Sequence, residues 1–189
     1  MREILHMLVV LSIICATSGA VLVNLKQATK SQIEQQVLTY VQGPALLSVL
    51  DNRDNDPIKE RVKIKDVTVF PAMKDGKLVG IALEAFAPGY SGDIGVMVGF
   101  NVDDDELLGI GITTQTETPG LGDKIMNPSF TGKFTGHGLD SMQVSAKGGD
   151  IDSIAGATYS SVGTVDAVRK AIEVYQSIKP EITNIWKNS

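Results

Sequence analysis

Residues 62–86 read VKIKDVTVFPAMKDGKLVGIALEAF, and this stretch decides the fold. Val62, Ile64, Val67 and Val69 are spaced by Lys63, Lys65 and Asp66, an alternation that predicts one half-buried strand from Val62 to Phe70. Lys74-Asp75-Gly76-Lys77 follows, and Asp-Gly between two apolar runs is a strong hairpin signal. Leu78 to Phe86 is the return strand. Pro88-Gly89-Tyr90-Ser91-Gly92 punctuates, and then Ile94–Val102 and Leu107–Thr113 form another pair across Asp103-Asp104-Asp105. The three aspartates do not match the spacing of a calcium loop and read as a solvated turn. The whole is a β-meander.

On the C-terminal side, Glu117 to Gly149 is rich in Gly, Pro and Thr with little periodicity, the kind of loop on which a rigid sheet carries chemistry. A last helix is predicted from about Ser160 to Ile178, with Val165, Val168, Ile172 and Tyr175 as its buried stripe and Pro180 as its stop. No internal repeat is seen.

On the N-terminal side, Ile4 to Leu25 carries no Asp, Glu, Lys or Arg. A helix of that length spans roughly 33 Å, enough for a hydrocarbon core of about 30 Å. An uncleaved transmembrane helix fits this length best. A signal peptide cut near Ser18-Gly19-Ala20 and a lipid anchor at Cys15 are the competing readings, the second weakened by bulky Ile14. Arg2 and Glu3 before the run and Lys26 and Lys30 after it leave orientation undecided by charge. Residues 26–50 read as a helix interrupted around Gly43-Pro44, and Asp51 to Asp56 as a loop. The fold class is therefore α+β: one N-terminal transmembrane helix, then a mainly antiparallel β-sheet domain with flanking helices. The divisions are an anchor at 1–25, a connecting helix and loop at 26–56, and the sheet domain at 57–189.

Composition narrows the chemistry. Net charge is -5 and no long basic run exists, which argues against nucleic acid as a partner. Cys15 is the only cysteine, and it lies in the apolar segment, so the rest of the chain has no disulfide and no cysteine-ligated cluster. His6 and His137 are the only histidines, which makes a metal site or a Ser-His triad a poor reading.

Two segments carry candidate chemistry. Asp152-Ser153-Ile154-Ala155-Gly156-Ala157-Thr158-Tyr159-Ser160-Ser161 runs into the last helix. Its small residues admit close approach to the backbone, and Ser160 and Ser161 are suited to N-cap positions. A helix start offers free N–H groups and the positive dipole end, which favour a phosphate, with the Thr158 hydroxyl beside it. By this local physics alone, a helix cap after a tight turn is the simpler reading. Thr116-Glu117-Thr118-Pro119-Gly120-Leu121-Gly122-Asp123-Lys124 is a tight loop whose exposed N–H groups suit an anion or the edge of a planar heterocycle. Taken alone it is an ordinary surface turn.

Together and in this order, the two segments resemble the flavin-binding subunits of two related bacterial respiratory complexes. These are the G subunit of the Rnf complex and the C subunit of the sodium-translocating NADH:quinone reductase. The resemblance also takes in the single N-terminal helix and Gly89-Tyr90-Ser91-Gly92, and the short chain is more similar to the Rnf member of the pair.

The family's attachment motif is Asp, two variable residues, Ser or Thr, then Gly-Ala-Thr. Asp152, Gly156, Ala157 and Thr158 match it, and Ala155 departs from the usual hydroxyl residue. The resemblance implies FMN joined by a phosphoester to Thr158, attached by a separate flavin transferase of the ApbE type using FAD and magnesium. It implies that the Glu117–Gly122 loop packs on the flavin ring, with Thr118 and Leu121 as neighbours and Gly120 and Gly122 giving backbone access. Lys124 and Lys147 are candidate cations near ring or phosphate. The implied setting is the extracytoplasmic side of a bacterial inner membrane. There the chain would relay electrons among the other membrane, iron–sulfur and flavin subunits of an Rnf complex that couples ferredoxin and NAD to ion movement. The competing readings are the C subunit of the quinone reductase and, from another class, a cofactor-free membrane-tethered scaffold.

Overall fold

The computed structural model describes residues 2–140 and 142–186, and the chain separates into two units, residues 1–40 and residues 41–189. The first is a single helix, α1 (Arg2–Gln36), with no buried residue, running on into a wider π-type turn at Val37–Gln42. Its apolar side chains are exposed along its length, and it is long and apolar enough to cross a membrane. No break falls at residue 25. The interruption expected at Gly43-Pro44 is the π-type turn just before it. Helix α2 (Gly43–Val49) opens there with Pro44 in its first turn, where the missing N–H has no intrahelical role.

The second unit is built on five antiparallel strands in the order β1-β2-β3-β4-β5: Val62–Ile64, Val67–Lys74, Lys77–Pro88, Asp93–Asn101 and Leu107–Thr114. This is the expected meander, with one correction. Val62–Phe70 is not one strand, because Lys65 and Asp66 take positive φ (45° and 68°) and make a two-residue hairpin turn closed by the Ile64–Val67 pair. The alternation survives such a turn, so the pattern alone does not show it. Asp75 and Gly76 make the second hairpin turn as expected, with φ of 50° and 74° between paired Lys74 and Lys77.

Side chains alternate across the sheet, so both faces must be covered. One face presents Ile81 and Leu83 of β3 and Ile94, Val96, Val98 and Phe100 of β4. Helix α4 (Thr158–Trp186), which follows the short helix α3 (Pro128–Thr131), buries Val165, Val168, Ile172 and Tyr175 against them, the stripe read from the sequence. Phe130 and Phe134, from short helical turns, join this core edge-on at 5.6 Å. Tyr175 stacks on Phe100 at 4.4 Å, and its hydroxyl donates to Asp105, which also accepts from Lys179. Burial and the neighbouring Asp105 carboxylate push the Tyr175 phenol well above its usual range. The other face is covered by α2, and glycine makes that approach possible. A Cβ on Gly111 would stand 2.8 Å from the Ala45 Cβ, and one on Gly99 would stand 2.2 Å from Val49.

Pro180 does not stop the last helix, which continues through it to Trp186. Ile178 and Ile182, on either side, are 1% and 0% exposed, and their burial holds the helix across the proline. Pro180→Ala should therefore stabilise the protein by about 2 kcal/mol. The helix-propensity difference of about 3 kcal/mol is reduced by the roughly 1 kcal/mol through which proline restricts the unfolded chain. Denaturant unfolding of the full chain in detergent measures this, and a loss of stability would show that the proline ring is needed for packing.

Candidate functional site

The turn after β3, the loop after β5 and the start of α4 meet around a cavity of about 340 Å³. It is lined by Tyr90, Glu117, Thr118, Leu121, Gly122, Gly156, Ala157, Thr158, Tyr159 and Ser160. That volume lies in the range of small-molecule and cofactor sites, about 300–1,000 Å³. Each wall has a local cause. The Gly89 N–H bonds the Gly92 carbonyl at 2.7 Å and closes the β3–β4 turn. The Thr118 carbonyl accepts from Leu121 and Gly122 (3.1 and 3.0 Å), which curls the loop into a 3-10 turn at Gly122–Met126. Gly156 takes φ +81°, which a side chain would strain, and the Ala157 N–H returns to the Ile154 carbonyl at 2.9 Å.

Helix α4 begins at Thr158, two residues earlier than its serines suggest. Ser160 and Ser161 therefore lie inside the first turn and are not N-caps. The Ser161 hydroxyl accepts from the Ile154 N–H and donates to the Ala157 carbonyl, pinning the incoming turn. The first backbone bond runs from the Ser161 N–H to the Ala157 carbonyl at 3.0 Å. The N–H groups of Thr158, Tyr159 and Ser160 precede it and have no intrahelical acceptor, which makes this end receptive to a phosphate.

Glu117 organises the site. It is 4% exposed, and its Oε1 accepts from the backbone N–H groups of Tyr90 and Ser91, both at 3.0 Å. Its Oε2 accepts from the Ser160 hydroxyl at 2.5 Å. A buried carboxylate is tolerated because three donors meet it. The loop glycines are fitted to it: a Cβ on Gly89 would lie 2.5 Å from Oε1, and one on Gly122 would lie 2.8 Å from the Glu117 Cβ.

Of the residues singled out from sequence, Thr158, Ala157, Gly156, Ser160, Glu117, Thr118, Leu121 and Gly122 come together here. Gly120 supplies positive φ (76°) to the loop without lining the cavity. Asp152 and Ser161 are outside the lining, the Asp152 carboxylate 3.8 Å from Lys133. Neither candidate lysine lines the cavity: Lys124 is outside the lining, and Lys147 borders a separate small cavity with Asp166 and Arg169. Tyr90 and Tyr159 line the cavity, and the sequence reading did not single them out. The signal was present, since Tyr90 lies in Gly89-Tyr90-Ser91-Gly92 and Tyr159 follows the threonine.

The second unit, with its meander, closing helix and glycine-rich cavity, is of the class of FMN-binding domains, and the model of that family, described as FMN-binding domain, matches residues 89–173. The chain belongs to the family of G subunits of ion-translocating oxidoreductase complexes. It is 33% identical to that protein of Aliivibrio fischeri, with 92% of this chain and 91% of the relative covered. It is 36% identical to that of Vibrio atlanticus, covering 84% and 83%. It is 33% identical to that of Salmonella typhi, covering 94% and 93%. Solved structures with a similar fold include the C subunit of the Na(+)-translocating NADH-quinone reductase from Parabacteroides distasonis. That likeness has a TM-score of 0.53 at 23% identity, over 67% of this chain and 71% of the other. NqrC of Shewanella oneidensis has a TM-score of 0.54 at 24% identity, over 73% and 69%.

Replacing Glu117 with alanine strands three donors. Glu117→Ala should cost about 3 kcal/mol or more, at about 1–3 kcal/mol for each buried donor left unpaired. Glu117→Gln keeps an acceptor for the two amides and should cost less, and equal losses in denaturant unfolding would contradict the clamp. Outside the site, His137 bridges the Gly138 carbonyl and Asp150 at 2.7 and 2.6 Å. Burial lowers its basicity, but these two hydrogen bonds outweigh burial and raise its pKa above 6.5. A folded-state pKa raised in this way gives stability that is fully present below the unfolded value of about 6.5 and lost as pH rises through the folded value. An NMR titration of the imidazole should place its midpoint above that of a free histidine, and Asp150→Asn should bring it down.

Proposed function

We propose that this chain is a membrane-anchored electron-transfer subunit of an Rnf-type ion-translocating oxidoreductase, with FMN held covalently by a phosphoester to Thr158. The observation that carries the attachment site is the position of Thr158. It lies on the wall of a cofactor-sized cavity, at a helix start whose first N–H groups lack intrahelical acceptors. The cavity suits the group: backbone is exposed at Gly156, and Leu121 lies against Gly156, 3.4 Å from where its Cβ would be. Bound there, FMN supplies one- and two-electron transfer, and the protein supplies position and surroundings. Glu117 holds the loop and the helix start in register. The helix-start amides would receive the phosphate, and Thr118 and Leu121 would hold the ring.

Esterification balances simply. The Thr158 Oγ displaces AMP from the FMN phosphorus of FAD, and the hydroxyl proton leaves with the products. A flavin transferase of the ApbE type with magnesium performs it. Permanent attachment suits a carrier placed on the extracytoplasmic side, where a lost cofactor is not replaced. The rest of the complex supplies the partner redox centres. The quinone-reductase reading is less favoured, since that likeness is one of fold at 23–24% identity, whereas the relatives from ion-translocating oxidoreductase complexes align over nearly the whole chain.

Full-length protein from a host with the transferase should be yellow, fluoresce as a denatured gel band and weigh one FMN more than its amino acids. Thr158→Ala should lose both the fluorescence and the added mass while unfolding at nearly the same denaturant concentration, because its side chain is exposed. A colourless parent would favour the scaffold reading, and covalent flavin kept by Thr158→Ala would move the attachment elsewhere.

A further inference from the structure

Two aromatic rings line this cavity and lack protein cover. Tyr90 and Tyr159 are 71% and 73% exposed, more than any other large apolar side chain among the described residues 41–186. Their centroids lie 6.3 Å apart and their planes are tilted by 48°. Glu117 sets this spacing, since its Oε1 takes the backbone N–H of Tyr90 and its Oε2 takes the hydroxyl of Ser160, the residue after Tyr159. Glu117 is the only charged residue in the lining, and its oxygens are met by protein donors. What the walls offer an incoming molecule is therefore neutral: two phenol faces, the Leu121 side chain and the exposed backbone at Gly156. Electron-rich aromatic faces pack well on a planar, electron-poor heterocycle. Thr158 adjoins Tyr159 in sequence, so a group esterified there is tethered beside one of the rings.

We propose that Tyr90 and Tyr159 are positioning residues that pack on the flavin ring and fix its orientation in the cavity. This rests on the reading that the flavin sits at Thr158. It adds a second wall, separate in sequence from the Glu117–Gly122 loop, and it gives the exposed tyrosines a role.

The test uses the full chain in detergent, flavinylated in a host with the transferase, as parent, Tyr90→Ala, Tyr159→Ala and Tyr159→Phe. Intact mass after denaturation reports attachment. Native flavin emission reports packing, because a phenol in contact quenches the excited flavin by lending it one electron, which then returns. The parent should be dim when native and brighten several-fold on denaturation. Each alanine variant should carry the same flavin mass, emit several-fold more than the native parent and show a shifted visible absorption band. Tyr159→Phe should keep the absorption of the parent while recovering part of the emission, since a benzene ring is a poorer electron donor. Alanine variants with full flavin mass and the emission and absorption of the parent would overturn the proposal. A parent without the flavin mass would instead sink the attachment reading. FMN titrated into the unflavinylated chains then decides the role of the tyrosines: stronger quenching by the parent than by the alanine variants supports it, and equal quenching overturns it.

Discussion

Glu117 is a negative charge placed almost out of reach of water, and it is stable there only because two backbone amides and one hydroxyl are aimed at it. Those donors come from two segments far apart in the chain, the turn at Tyr90-Ser91 and the first turn of α4. The carboxylate itself belongs to a third. Each segment alone is a loop or a helix end with no reason to hold one conformation. Joined through one carboxylate, they become the fixed walls of a cavity. Glycine at 89 and 122 follows from the same contact, since a side chain at either place would collide with Glu117.

The sheet supplies the frame on which that clamp is built. Both faces are covered at short range, and the closest approaches are made where side chains are smallest. Gly111 meets Ala45 of α2, and Gly163 of α4 lies where a Cβ would be 2.5 Å from the Pro88 carbonyl. The latter contact presses the start of the long helix against the end of β3, beside the turn that carries Tyr90. Packing density in the core is thus tied to placement of the site, because α4 cannot shift without moving Thr158 and Ser160 away from the loop they face. A carrier of electrons needs such stiffness, since its cofactor must stay at one distance from its partners while changing charge.

The membrane segment obeys a different constraint. α1 buries nothing within the chain and carries its apolar side chains outward, so its stability as a helix comes from backbone hydrogen bonds and from the apolar medium that its composition suits. The second unit has the opposite pattern, with its large side chains turned inward and charged pairs such as Asp105 with Lys179 at the rim. One chain therefore combines two solvents' rules, divided near Tyr40.

Periodicity, turn chemistry and length determined much of this by themselves. The apolar run fixed a helix long and apolar enough to cross a membrane, Asp75-Gly76 fixed a hairpin, and the spacing of Val165, Val168, Ile172 and Tyr175 fixed the buried face of α4. These are local properties, set by bond geometry and by which residues avoid water. Other features were beyond the reach of such local signals. Lys65-Asp66 can lie in a strand or turn sharply, and pairing across Ile64–Val67 chose the turn. Pro180 ends an isolated helix, and the burial of Ile178 and Ile182 overrode it. Ser160 and Ser161 look like caps, yet contacts with Glu117 and with the Ile154 amide drew them into the helix. The meeting of Tyr90 with Tyr159 at one cavity depended on how distant segments fold back. A sequence records propensities within a few residues, whereas long-range contacts, each able to outweigh a propensity of about 1 kcal/mol, set the final choice.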